Sequence, residues 1–168
     1  QEQVNFDNID HIVFAGMGGS GAIGDLFSSI LSKSNIHVSL VKGYLLPKTV
    51  DKNTLVVVTS VSGNTSETLT VLKSAKKMDC DLIAFSSGGK MEEICKNEQI
   101  NYKKIPNVHS PRTSLINFSY SMLKILNSII PIEKKDVIES LDGLDRMKKQ
   151  IGSHNISDSN PAINLANW

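Results

Sequence analysis

From His11 onward, short apolar runs alternate with longer segments of helical period. Ile12-Val13-Phe14-Ala15 is an uninterrupted apolar run that stops at glycines, as a strand buried on both faces does. Residues 22–32 follow, with Ile23, Leu26, Phe27, Ile30 and Leu31 at helical spacing. Residues 36–41 alternate apolar and polar and residues 55–58 form a β-branched run, so both read as strands. The spacing predicts a helix over about 65–78, with Leu69, Leu72 and Ala75 on one stripe. A fourth strand over 81–85, a short helix over 91–97 and a weaker fifth strand over 101–105 come next. Pro111 opens a long helix reaching about Ile129, and a charged helix over about 136–150 follows Pro131. Alternation of this kind implies right-handed crossovers and a mostly parallel sheet covered on both sides. The expected fold is therefore three-layer α/β: a flavodoxin-like five-stranded parallel sheet of order 2-1-3-4-5 with helices on both faces. In such sheets ligands sit outside the carboxyl ends of the strands. The polar stretch 152–159 reads as a linker, so a domain over 1–151 is expected, then a segment 152–168 in which structure restarts at Asn160.

Composition narrows the function classes. The 168 residues, 40% hydrophobic and 21% charged, suit one globular domain and exclude wholesale disorder. Eighteen basic residues against 17 acidic ones give a net charge of +1, which removes the electrostatic case for a nucleic-acid partner. Aromatics at 5% leave few platforms for stacking bases. No apolar run approaches the ~20 residues of a bilayer-crossing helix, and the polar residues 1–10 do not read as a signal peptide. No membrane partner is expected, and a cytoplasmic location is. Cys80 and Cys95 are too far apart for a metal knuckle or a redox C-x-x-C pair and read as reduced thiols.

Each informative motif falls just after a predicted strand. Gly16-Met17-Gly18-Gly19-Ser20-Gly21 matches the G-x-G-x-x-G dinucleotide fingerprint in its strand–turn–helix context. That fingerprint wants an acid at the end of the second strand, where this chain has Leu40-Val41-Lys42; a lysine there suits only the 2′-phosphate of NADP. Alternatively, the glycines serve only a tight turn and close helix packing. The second motif is Ser60-Val61-Ser62-Gly63-Asn64-Thr65-Ser66-Glu67-Thr68. Asn64 as an N-cap, with Glu67 completing a capping-box-like exchange, accounts for those two residues. It leaves unexplained why Ser60, Ser62, Thr65, Ser66 and Thr68 are all hydroxylic. Orphan N–H groups at a helix start among hydroxyl donors form an anion site that needs no lysine. A Walker Gly-Lys-Ser/Thr is absent, so a compact phosphate monoester fits better than a magnesium triphosphate. Ser86-Ser87-Gly88-Gly89 by itself reads as an ordinary turn, and His109-Ser110-Pro111-Arg112 as a helix start with a surface arginine.

Gly16–Asp25 (GMGGSGAIGD) and Ser60–Thr68 (SVSGNTSET) together resemble the paired signatures of sugar isomerase (SIS) domains. The closer resemblance is to the amino-terminal half of the bifunctional phosphoglucose/phosphomannose isomerases of archaea and some bacteria. It runs from about His11 to Ile129. Members of that family usually carry an aromatic residue where Val61 stands, a departure that bears on pocket shape.

The resemblance implies an aldose–ketose isomerase that interconverts glucose 6-phosphate or mannose 6-phosphate with fructose 6-phosphate through an enediolate. It implies substrate binding by Gly18, Gly19, Ser20, Ser60, Ser62 and Thr65, and a catalytic role for Arg112, matching the family's Pro-Arg pair facing the reacting carbons. No cofactor and no metal are called for. The family's base Glu and ring-opening His come from a second SIS domain, whose start the segment Asn160–Ala166 resembles. The chain alone is therefore expected to be inactive, and the parent to be a homodimer. Two rival readings stand beside it: a non-catalytic SIS-type sugar-phosphate sensor, and an NADP-binding oxidoreductase domain resting on the glycine loop.

Overall fold

A computed structural model describes residues 6, 8–107, 110 and 113–167. Its five strands are β1 (His11–Ala15), β2 (His37–Val41), β3 (Thr54–Ser60), β4 (Asp81–Ser86) and β5 (Asn101–Lys104). They form one sheet of order β2-β1-β3-β4-β5, and every pairing is parallel. Between and after them run α1 (Gly19–Leu31), α2 (Ser66–Ala75), α3 (Gly89–Asn97) and α4 (Ser114–Ile125). The fold is the expected flavodoxin-like α/β arrangement.

Alternate residues of each strand feed two cores. Val13, Ala15, Val56, Val58 and Ala84 pack with Val71, Leu72 and Ala75 of α2 and Met91 and Cys95 of α3. Ile12, Phe14, Leu55, Val57, Ile83 and Phe85 point the other way, where Phe14 stacks on Phe27 of α1 at 5.2 Å and α1 packs beside α4. With helices on both faces, every residue of β1 and β3 is buried, which is why their sequences read as continuous apolar runs. The edge strand β2 alternates because it is partly exposed.

β3 outruns its apolar run: Thr59 and Ser60 pair with Phe85 and Ser86 of β4 and are buried with them. α1 begins at Gly19, three residues before the expected start at 22, because the glycine loop turns directly into the helix. α4 ends at Ile125, short of Ile129, and Leu126 and Ile130 close its end as buried side chains.

The chain divides into two compact units, one ending at Pro131 and the other starting at Ile132. The second holds α5 (Lys134–Ile151) and α6 (Pro161–Ala166). α5 starts on a reciprocal capping box between Glu133 and Asp136, the Glu133 N–H donating to Asp136 Oδ2 at 3.0 Å. Asn160 caps α6 by accepting from the Ala162 N–H at 2.9 Å, with Pro161 in the first turn. Among the described residues, no helix is long and apolar enough to cross a membrane.

Candidate functional site

In a parallel sheet the loops that leave the strands share one rim. The first is the glycine loop. Gly18 caps α1 with φ 55°, a left-handed value that favours glycine, and both Gly18 and Gly19 are exposed. α1 begins with no side-chain cap and no acid in its first turn, so the positive end of its dipole meets no anion of its own. Ser20 lies just inside, buried, and its Oγ accepts the Val61 N–H at 3.3 Å.

The second loop leaves β3. Ser60 is buried; its Oγ accepts the Gly63 N–H at 3.1 Å and pairs with Thr65 Oγ1 at 3.0 Å. Each hydroxyl has one proton. Either hydroxyl can donate in that pair; when Ser60 does, the Thr65 proton is left for a further acceptor. Ser62 is exposed, and its Oγ accepts the Asn64 N–H at 3.3 Å, which leaves its own proton to donate. Gly63 has φ 68°, and a methyl group built there would overlap the Gly88 carbonyl oxygen.

The capping box expected of Asn64 and Glu67 does not form. Thr65 is the N-cap of α2 and makes no side-chain cap bond. The Asn64 amide instead ties its own loop to the start of α3, donating to the Ser62 carbonyl at 3.2 Å and accepting the Lys90 N–H at 3.0 Å. The first N–H groups of α2 therefore stay among the orphan donors of a helix start, the property that makes such an end an anion site. Glu67 turns to Tyr44, which follows β2: its charge, then burial and a shared hydrogen bond, push the Tyr44 hydroxyl pKa up. The sequence reading missed Tyr44; its place after the second strand was the available signal.

The Val61 peptide binds the loops into one unit. Its N–H reaches Ser20, while its carbonyl accepts both the N–H (3.0 Å) and the Oγ–H (2.6 Å) of Ser87 in the loop after β4. Gly18, Gly19, Ser20, Ser60, Ser62 and Thr65 are thus gathered at one rim, with Ser20 and Ser60 as buried supports and Ser62 outermost. Arg112, like His109 and Pro111, lies outside the described residues.

Lys42 answers the dinucleotide reading. Its ammonium holds both Asp25 carboxylate oxygens, at 2.7 and 2.8 Å. The pair is half-exposed, so Lys42 shares its charge with Asp25, whose carboxylate would repel that phosphate.

A family model described as SIS domain matches residues 6–128. The bifunctional phosphoglucose/phosphomannose isomerase of Caldicellulosiruptor bescii is 36% identical over 140 residues, covering 83% of this chain and 40% of that protein. The protein of the same name from Thermoplasma acidophilum is 34% identical over 155 residues, covering 89% and 47%. A solved Bacillus subtilis structure, described as a phosphosugar isomerase, matches with TM-score 0.63 at 22% identity over 84% of this chain and 46% of that one, a likeness of fold. The chain spans less than half the length of these relatives. Since the matched stretch covers most of the chain and contains both loops of the rim, the chain belongs to the SIS domain family.

Proposed function

We propose that this chain is the sugar-phosphate-binding half of an aldose–ketose isomerase acting on hexose 6-phosphates, with fructose 6-phosphate as the ketose. The observation that carries the reading is the linked set of the Gly63 N–H and the Ser60 and Thr65 hydroxyls, set at the uncapped start of α2. A phosphate dianion is the acceptor such an array lacks. Ser62, Thr65 and the first α2 N–H groups donate to its oxygens, and Ser20 and Ser60 hold the loops in place. Gly18 and Gly19, without side chains, let the sugar approach the α1 backbone.

Isomerisation opens the ring and moves a proton between C1 and C2, building an enediolate. A fixed cation at the developing oxyanion lowers that barrier, and Arg112, next along the chain after β5, takes this role. The proton carrier and the ring-opening acid come from a second SIS domain of the parent, a Glu and a His; the greater length of the curated relatives leaves room for it. Calorimetry with fructose 6-phosphate and with NADPH tests the reading. Saturable heat with the sugar phosphate and none with NADPH is expected; the reverse would restore the dinucleotide reading.

A further inference from the structure

The loop proposed to hold phosphate has an outer support two strands away. A Gly63 methyl would overlap the Gly88 carbonyl oxygen, so that carbonyl is the wall against which the Ser60–Thr65 turn rests. The wall has its own hydrogen-bond ladder. Gly88 O accepts the Ser86 Oγ–H at 2.8 Å, and Ser86 Oγ accepts the Gly88 N–H at 3.2 Å. Ser86 is fully buried, and its one proton is committed to Gly88, so the 2.9 Å contact with the Tyr102 hydroxyl runs from tyrosine to serine. The same hydroxyl also donates to the Ser86 carbonyl at 3.3 Å, which accepts the Ile105 N–H at 2.9 Å as well, so both bonds of Tyr102 end on Ser86. On the inner side, the Met91 N–H closes on Gly63 O at 2.9 Å.

We propose that Tyr102 of β5 is a positioning residue: through Ser86 and the Gly88 carbonyl it fixes the Ser60–Thr65 loop, and so sets phosphate affinity without touching ligand. The proposal rests on the functional reading above. Binding to a preorganised loop avoids the ordering cost a slack loop would incur, so loosening the wall weakens affinity. The ligand moiety concerned is the phosphate, so inorganic phosphate and fructose 6-phosphate should be affected by the same factor.

The test measures Kd for both ligands by calorimetry, and Tm, in the intact protein carrying Tyr102→Phe, Ser62→Ala, both, or Cys95→Ala. The last removes a buried thiol of α3 that bonds no loop residue and controls for general loosening. Tyr102→Phe should weaken both ligands by about threefold to tenfold, the range of one net hydrogen bond. Its effect should shrink in the Ser62→Ala background, and Cys95→Ala should lower Tm while leaving Kd unchanged. Wild-type affinity in Tyr102→Phe beside weakened Ser62→Ala overturns the positioning role and leaves the functional reading intact. So does an equal loss of affinity in Cys95→Ala, which would make the effect one of stability. No saturable binding by the wild type, or wild-type affinity in Ser62→Ala, overturns the functional reading and this inference with it.

Discussion

At the amino-terminal end of the sheet, His11 Nδ1 meets Thr54 Oγ1 at 3.3 Å, and Thr54 in turn donates to Asp51 Oδ1 at 3.0 Å. His11 Nε2 pairs with Ser39 Oγ at 3.0 Å, and the His11 and His37 rings lie 4.9 Å apart. At the carboxyl end, Ser60, Ser62 and Thr65 form a comparable cluster, yet exposed Ser62 keeps its own proton to donate beside an uncapped helix. One end pairs its polar groups internally around a buried imidazole. The other ends in the donors of an uncapped helix start, where the acid of the first turn, Glu67, is shared with Tyr44. Polarity at a strand end is thus poor evidence of function; what matters is where the donors finish.

The sharpest way to break this contrast is at the residue proposed to face the reacting carbons. Arg112→Ala in the full-length protein should lower kcat by about 10²–10³, the usual worth of an oxyanion-stabilising donor, with a smaller change in KM. Steady-state kinetics with fructose 6-phosphate decides; a rise in KM alone would make Arg112 a ground-state contact. Gly63→Ala comes next. It adds the roughly 1–3 kcal/mol of a strained φ to a backbone overlap, so Tm and phosphate affinity should both fall, affinity by more than in Ser62→Ala. Ser62→Ala should weaken phosphosugar binding by about 1.5–3 kcal/mol, the range for a hydrogen bond to a charged group, with Tm almost unmoved because the side chain is exposed.

The smallest effect belongs to the other end. Burial, then the His37 charge, lowers the His11 pKa below its ordinary 6.5, despite Asp10 and Asp51 acting the other way. Below that value the unfolded chain binds the proton more readily than the folded one. Stability is therefore full above about pH 6.5 and is lost as pH falls through that value towards the folded pKa. Tm should drop between about pH 7.5 and 5.5, and His11→Asn should flatten the drop. Unchanged pH dependence in the variant would remove His11 as its source.

Much of this was legible in the sequence because burial on both faces writes continuous apolar runs, as in Ile12–Ala15 and Leu55–Val58. The two signature loops were legible because glycines and hydroxyls there fall directly after such runs. What stayed hidden depends on register. The His11 cluster exists only because His11 stands opposite both His37 and Thr54. The Asp25–Lys42 pair, which undercuts the dinucleotide reading, joins residues 17 apart on α1 and beyond β2. Asn64 was misassigned because cap propensity is local, whereas its amide is claimed by the Lys90 N–H at the start of α3. Tyr102 shows nothing in sequence, since its hydroxyl matters only through Ser86 on the neighbouring strand.

The most direct test of the contrast between the two ends is amide chemical-shift mapping of the ¹⁵N-labelled protein titrated with fructose 6-phosphate. Saturable shifts are expected at Gly18–Ser20 and Ser62–Glu67, with smaller ones at Ser87–Gly88. The amides of His11, Ser39 and Thr54 should stay still. Shifts centred on the His11 cluster, or on Asp25 and Lys42, with the Ser62–Glu67 amides unmoved, would contradict that contrast.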